Sequence, residues 1–218
     1  SDSQSFTVTV NAVNDAPQAT QGITGTTNED QSVVITLSGS DVDGDNLTFG
    51  LGYEPENGTV SVDGSFATYT PNSDFNGNDS FSFYVSDGDL AEGAVVTLTV
   101  NAVNDAPVLA AVSDVSFDED GSGSISLEAT DVDEDNLTYS ITEGTDIVAS
   151  LDGSSVTFSA PADYNGSETF VVSVNDGELS DSQSFTVTVN AVNDAPQATQ
   201  GITGTTNEDQ SVVITLSG

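Results

Sequence analysis

The sequence predicts an all-β protein, a linear array of tandem seven-stranded β-sandwiches, and three observations carry that prediction. Short runs of Val, Thr, Phe and Leu alternate apolar with polar residues in period two, and no segment shows a helical period. Gly, Asn and Asp cluster between those runs, where turns require them. The octapeptide Val-Asn-Ala-Val-Asn-Asp-Ala-Pro begins at Val10, Val100 and Val189, offsets of 90 and 89 residues. Each copy follows a Thr/Val run, and its proline stops that strand, so the motif marks joints between domains of one length.

Seven strands fit the first complete domain in order. One lies between Ala19 and Thr27, followed by Val33 to Leu37 and Leu47 to Leu51. Two shorter ones centre on Val60 to Val62 and Phe66 to Tyr69, and the last two are Phe81 to Val85 and Val96 to Val100. The second domain repeats the series through Ile125/Leu127, Leu137/Tyr139/Ile141, Val148, Val156/Phe158, Phe170/Val172/Val174 and Phe185/Val187/Val189. Seven strands in roughly ninety residues is the pattern of an immunoglobulin-like sandwich. One inward row per strand, including Phe49, Phe81, Phe83 and Leu98, supplies a small core.

The longest internal match orders the domains. Residues 1–39 recur letter for letter as 180–218, so two domains form one larger repeat. Residues 15–104 and 105–193 are expected to be complete domains. Residues 1–14 are expected to be the last strand of a preceding domain and 194–218 the first strands of a following one. A slice of a longer tandem array explains these flanks without strand exchange between subunits.

Composition bounds the chemistry. The chain has 218 residues, 36 acidic side chains and no Lys, Arg or His, a formal charge of −36. Such charge repels itself and loosens a compact state unless cations from solution neutralise it. Without His, Cys or Lys there is no Ser-His triad, thiol nucleophile, Schiff base or usual zinc site, so an enzyme is not expected. No basic patch exists to neutralise phosphates, which excludes nucleic acid as a partner. No apolar run approaches membrane-spanning length, so membrane insertion is not expected.

The acids recur at matched places. Asp41-Val42-Asp43-Gly44-Asp45-Asn46 and Asp131-Val132-Asp133-Glu134-Asp135-Asn136 follow the second strand of each domain. Alternate carboxylates on a tight loop suit a hard cation that takes several oxygens, and without one they repel. An EF-hand needs Gly at loop position six and an acid at twelve; Asn46 and Gly52, or Asn136 and Thr142, stand there. Glu29-Asp30 and Glu119-Asp120 precede the second strand, Asp74-Phe75-Asn76-Gly77 and Asp163-Tyr164-Asn165-Gly166 precede the sixth, and Asp87-Gly88 and Asp176-Gly177 follow it. Isolated pairs such as Asp63-Gly64 and Asp152-Gly153 read as plain turns. General acidity also marks salt-adapted surfaces, but that would not place acids at matched turns.

This series resembles cadherin repeats, which carry an early Glu, an Asp-x-Asp loop, a Leu-Asp-Arg-Glu segment, an Ala-x-Asp-x-Gly turn and an Asp-x-Asn-Asp-Asn-x-Pro linker in that order. Ala129 to Asp133 with Asn136 to Ser140, Val174 to Gly177, and Val103 to Pro107 carry the likeness. It is closer still to the cadherin-like repeats of large bacterial secreted adhesins of the type I secretion, RTX kind. The resemblance implies Ca2+ at each joint. At the middle joint it implies Glu29, Asp74, Asn76, Asn101, Asn104, Asp105, Asp131, Asp133 and Asp176. At the first it implies Asn11, Asn14, Asp15, Asp41, Asp43 and Asp87, and at the third Glu119, Asp163, Asn165, Asn190, Asn193 and Asp194. Asn76 and Asn165 stand where cadherins have Glu, and each linker has one Asn-Asp pair, so fewer ions or weaker sites are expected.

The function expected is therefore a calcium-stiffened extracellular spacer in a surface adhesin or fibre. Its expected partners are neighbouring repeats of the same chain, identical chains in a fibre, and surface glycans. The alternative is a homophilic or polysaccharide-binding module. Its aromatic candidates beyond the Phe set are Tyr53, Tyr69, Tyr84, Tyr139 and Tyr164, several of which alternate with core positions.

Overall fold

The computed structural model describes residues 2–198 and 201–216 and divides into two units, residues 1–104 and 105–218. All regular structure among the described residues is strand. The first unit contains β1 (Gln18–Ala19), β2 (Ile23–Asn28), β3 (Val33–Thr36), β4 (Gly39–Ser40), β5 (Thr48–Leu51), β6 (Gly58–Asp63), β7 (Phe66–Pro71), β8 (Gly77–Ser86) and β9 (Ala91–Asn101). A four-stranded sheet in the order β2-β9-β8-β5 packs over a three-stranded sheet β3-β7-β6, and β1 pairs with β4. The second unit repeats this with β10 (Val108–Leu109), β11 (Val115–Asp118), β12 (Ser122–Ser126), β13 (Ala129–Thr130), β14 (Thr138–Ile141), β15 (Val148–Asp152), β16 (Ser155–Ser159), β17 (Gly166–Asn175) and β18 (Ser180–Asn190). Its sheets are β11-β18-β17-β14 and β12-β16-β15, with β10 paired to β13.

The single first strand expected between Ala19 and Thr27 is two strands. The residues up to Ala19 pair antiparallel with Gly39 and Ser40, whereas Ile23 to Asn28 run parallel to Val96 to Asn101. Gly22 turns the chain between the two partners at φ +75°, a conformation that costs glycine little.

Alternation decides which side chains form the core. On β8 the inward row is Phe81, Phe83 and Val85, and on β9 it is Ala94, Val96, Leu98 and Val100, all buried. Phe49 is half-buried and packs on this cluster. In the second core Phe158, Phe170 and Phe185 form a triangle with centroid distances of 5.3, 5.9 and 6.2 Å. The two cores compensate large for small. A Cβ on Gly25 would lie 2.9 Å from Leu98, and one on Gly123 would lie 2.7 Å from the Phe117 ring. Val115 and Val33 hold the corresponding positions where the neighbour is smaller.

The flanks carry no strand among the described residues. Residues 2–11 and β18 share one sequence, yet Phe6, Val8 and Val10 are 87%, 72% and 89% exposed while Phe185, Val187 and Val189 are at most 3%. Residues 201–216 likewise carry no strand. β18 has β11 and β17 beside it to accept its backbone hydrogen bonds, and residues 2–11 pair with no strand among the described residues.

Candidate metal centre

The Asp-x-Asp loops are built by their own first residue. Asp41 Oδ1 accepts the N–H groups of Asp43, Gly44 and Asp45 at 2.8, 2.9 and 3.2 Å. Asp131 Oδ1 accepts those of Asp133 and Asp135 at 3.0 and 3.3 Å. The backbone is thereby wrapped around one carboxylate oxygen, as Asp does in turns. The other oxygen, Oδ2, is sealed from solvent in both Asp41 and Asp131 and has no hydrogen-bond partner. Asp41, Asp43 and Asp45 each place an oxygen within 4.8 Å of the others, as do Asp131, Asp133 and Asp135.

The linker residues join these loops. Asp15 N–H donates to Asp43 Oδ2 at 2.8 Å, and Asp105 N–H donates to Asp133 Oδ2 at the same distance. The Asn14 amide donates to Asp87 Oδ2 at 3.0 Å. Asp87 Oδ1 accepts the Asp89 and Leu90 N–H groups. The Leu90 bond, then the Asn14 amide, holds the Asp87 carboxyl below its ordinary range. Asp176 Oδ1 makes the same two turn bonds, to Glu178 and Leu179. Asn11 makes no hydrogen bond among the described residues and is not brought to this set.

A second set gathers at the other end of each domain. Glu29 is buried, and its Oε1 accepts the Val103 N–H at 2.5 Å while Oε2 accepts the Asn76 amide at 3.4 Å. Glu119 is buried likewise and accepts the Val192 N–H at 2.5 Å. Backbone bonds from Glu29 N–H to Asn101 O and from Glu119 N–H to Asn190 O seat both glutamates on the last strand. The Asn101 and Asn190 amides point elsewhere, to Asn28 and Asp118. Asn165, unlike Asn76, makes no hydrogen bond among the described residues, and the Asn193 amide donates only to Asp194 O.

Sequence reasoning missed two pairs here. Asp30 and Asp120 sit in left-handed turns at φ +58° and +62° and accept the N–H groups of Asp74 and Asp163. Asp74 and Asp163 are left-handed too, which Asp tolerates better than most residues. In the second unit Asp120, Asp163 and Asp194 each bring an oxygen within 4.8 Å of one another. The charge of Asp163, then partial burial, then Glu119 and Asp120, push the Asp194 carboxyl up. Asp45 and Asp135, third members of the loops, were the other omission. Both pairs were visible as acids adjoining chosen ligands.

These residues fit a divalent cation. A buried carboxylate oxygen with no donor is costly, and no Lys, Arg or His exists in the chain to serve it. Ca2+ takes such hard oxygens, from carboxylates, amides and carbonyls alike.

Residues 14–101 and 104–190 each match the bacterial Ig domain family. The chain belongs to that family, in two tandem copies. No curated protein matches it. These bacterial Ig domains share their fold with cadherin domains. Human protocadherin-24 EC1-2 aligns at TM-score 0.54 and 18% identity over 83% of this chain and all of that one. The protocadherin gamma B4 extracellular domain aligns at 0.55 and 16%, and gamma B2 domains 1–5 at 0.52 and 17%, each over 84% of this chain. The bacterial Ig pair spans 34% and 41% of those two chains, and 29% of endo-fucoidan hydrolases at a TM-score of 0.35.

Proposed function

We propose that these bacterial Ig domains are calcium-binding extracellular repeats, the stalk of a large adhesin or fibre whose joints the ion stiffens. The observation that carries the reading is the sealed, partnerless Oδ2 of Asp41 and Asp131 at the same position of both domains. In the first domain Asp41, Asp43, Asp45, Asn14, Asp15 and Asp87 would hold the ion, and in the second Asp105, Asp131, Asp133, Asp135 and Asp176. Bound calcium supplies the positive charge that the chain lacks. The linker supports a role at joints: Val103 is tied to Glu29 and Asp105 to Asp133, with Asn104 alone between them in sequence.

The ion's contribution follows mass action and rises with free calcium relative to its dissociation constant. Millimolar extracellular calcium suits weak sites of this kind. Calcium counted per chain by elemental analysis after dialysis tests binding. Small-angle scattering with calcium and with chelator tests stiffening, for which a longer particle in calcium is expected. Equal dimensions in both would sink the stiffening, and no bound calcium would sink the whole reading.

A further inference from the structure

Two of the five tyrosines are exposed, Tyr53 at 81% and Tyr84 at 43%, and one serine brings them to the same place. Tyr53 N–H donates to Ser82 Oγ at 2.7 Å and Ser82 N–H donates back to Tyr53 O at 3.1 Å. Tyr84 stands two residues along β8 on the same outward face. Its cross-strand neighbours are Gly50 on β5 and Gly93 on β9. A Cβ on Gly50 would fall 2.3 Å from Tyr84 Cζ, so the ring lies across that glycine. A Cβ on Gly93 would meet nothing nearer than Phe83 O at 3.4 Å, which leaves bare backbone on the ring's other flank. Neither glycine has a positive φ, so the backbone does not require them, and glycine weakens a strand interior.

The second domain shows that the fold does not need this row. Ser140, Ser173 and Ser182 occupy the three cross-strand positions there, and Glu143 stands where Tyr53 does. Covering a glycine accounts for a ring over Gly50, but not for the second glycine or for an exposed Tyr53.

We propose that this outer face of the first domain is a carbohydrate-binding surface, with Tyr84 as the stacking platform for a neutral polysaccharide. An aromatic ring presents a negative π-face and an apolar body, which matches the C–H face of a pyranose. Farther along the same outward face, a shallow groove lined by Glu54, Glu56, Asn78, Ser80, Val95 and Thr97 offers carboxylate, amide and hydroxyl groups to sugar hydroxyls. Val95, opposite Ser82 and 53% exposed, extends the apolar strip. A chain of charge −36 with no cation repels uronate, sulfated or phosphorylated glycans, so an anionic ligand is disfavoured.

The test is retention of the full chain on insoluble cellulose, chitin, mannan and β-1,3-glucan, in calcium and in chelator. Tyr84→Ser introduces the residue that the second domain carries at Ser173, so the sandwich is retained; Tyr53→Ala is the second variant, and thermal melts verify both. Retention of the wild type on at least one polymer, with affinity reduced about tenfold by Tyr84→Ser, one aromatic contact's worth, is expected. Three results would overturn the proposal: no polymer retained, retention that neither substitution changes, or stronger binding to soluble alginate than to any neutral polymer. Retention in chelator as well as in calcium separates this surface from the acidic loops.

Discussion

The Tyr69 hydroxyl donates to Asp79 Oδ2 at 3.0 Å inside the first domain, and the second domain replaces that pair with Phe158 and Glu168. Asp79, buried in the sheet, also accepts the N–H groups of Glu56, Asn57 and Ser80 at 3.1, 2.9 and 2.8 Å. Burial, then the hydrogen bond and charge of Asp79, raise the Tyr69 phenol far above its ordinary range. Glu168, one methylene longer, accepts the N–H groups of Thr145, Asp146 and Ile147 without a tyrosine. Each carboxylate pins the loop between the fifth and sixth strands of its sandwich.

Tyr69→Phe is therefore expected to destabilise the first domain by about 1–3 kcal/mol, because Asp79 stays buried with one donor fewer. Denaturant unfolding of the variant checks this.

Glu168 contributes to the acid sensitivity of the second domain. Partial burial pushes its carboxyl up, and the Asp146, Thr145 and Ile147 N–H groups outweigh that, so the net direction is down. A folded pKa below the unfolded one gives stability that is present above about pH 4.3, the ordinary glutamate value, and is lost as pH falls through the folded pKa. Glu168→Gln should lower Tm at neutral pH and flatten its dependence on pH below that value. Melts across an acid series report both.

Asp131→Asn is expected to change sign with calcium. Asn keeps an oxygen for the Asp133 and Asp135 N–H groups and relieves repulsion with their carboxylates. In chelator Tm rises by a few degrees, and in saturating calcium it falls. A shift of one sign in both conditions would argue against an ion at this loop.

Gly123→Val places a side chain 2.7 Å from the Phe117 ring, and overpacking of this kind costs about 1–3 kcal/mol. Adding Phe117→Thr, the first domain's residue at Thr27, should recover much of the loss. The double-mutant cycle measures the coupling.

Glu134 holds φ +61° where the first domain has Gly44 at +81°. Glu134→Gly removes a left-handed strain of about 1–2 kcal/mol, part of which the added freedom of the unfolded chain offsets. A modest rise in Tm of the second domain is expected by calorimetry.

The sandwich was legible because rows such as Phe81, Phe83 and Val85 alternate, and because turns carry their own chemistry. Repeated sequence separates the two effects. Residues 28–31 and 207–210 are the same tetrapeptide, and both form a turn, with Asp30 at φ +58° and Asp209 at +60°. Gln31 N–H donates to Asn28 O at 3.3 Å, and Gln210 N–H to Asn207 O at 3.1 Å. The runs flanking the first copy are strands and those flanking the second are not. Turns are thus local, whereas strands need partners distant in sequence. The acids of the candidate site were legible as a repeated set. Asp30 and Asp120 were visible among them, but not the left-handed turn that aims them. The split of the first strand also escaped the pattern, since both halves alternate alike.

The parallel pairing of β2 with β9 determines how a domain responds to being stretched. Tension enters β2 from its leading end and β9 from its trailing end, so the two strands are drawn past each other along their length. The ladder from Ile23↔Val96 to Asn28↔Asn101 is loaded in shear, and its rungs must give way together rather than unzip in turn. Pulled in this way, each domain would resist through its last strand and the strand that runs parallel to it.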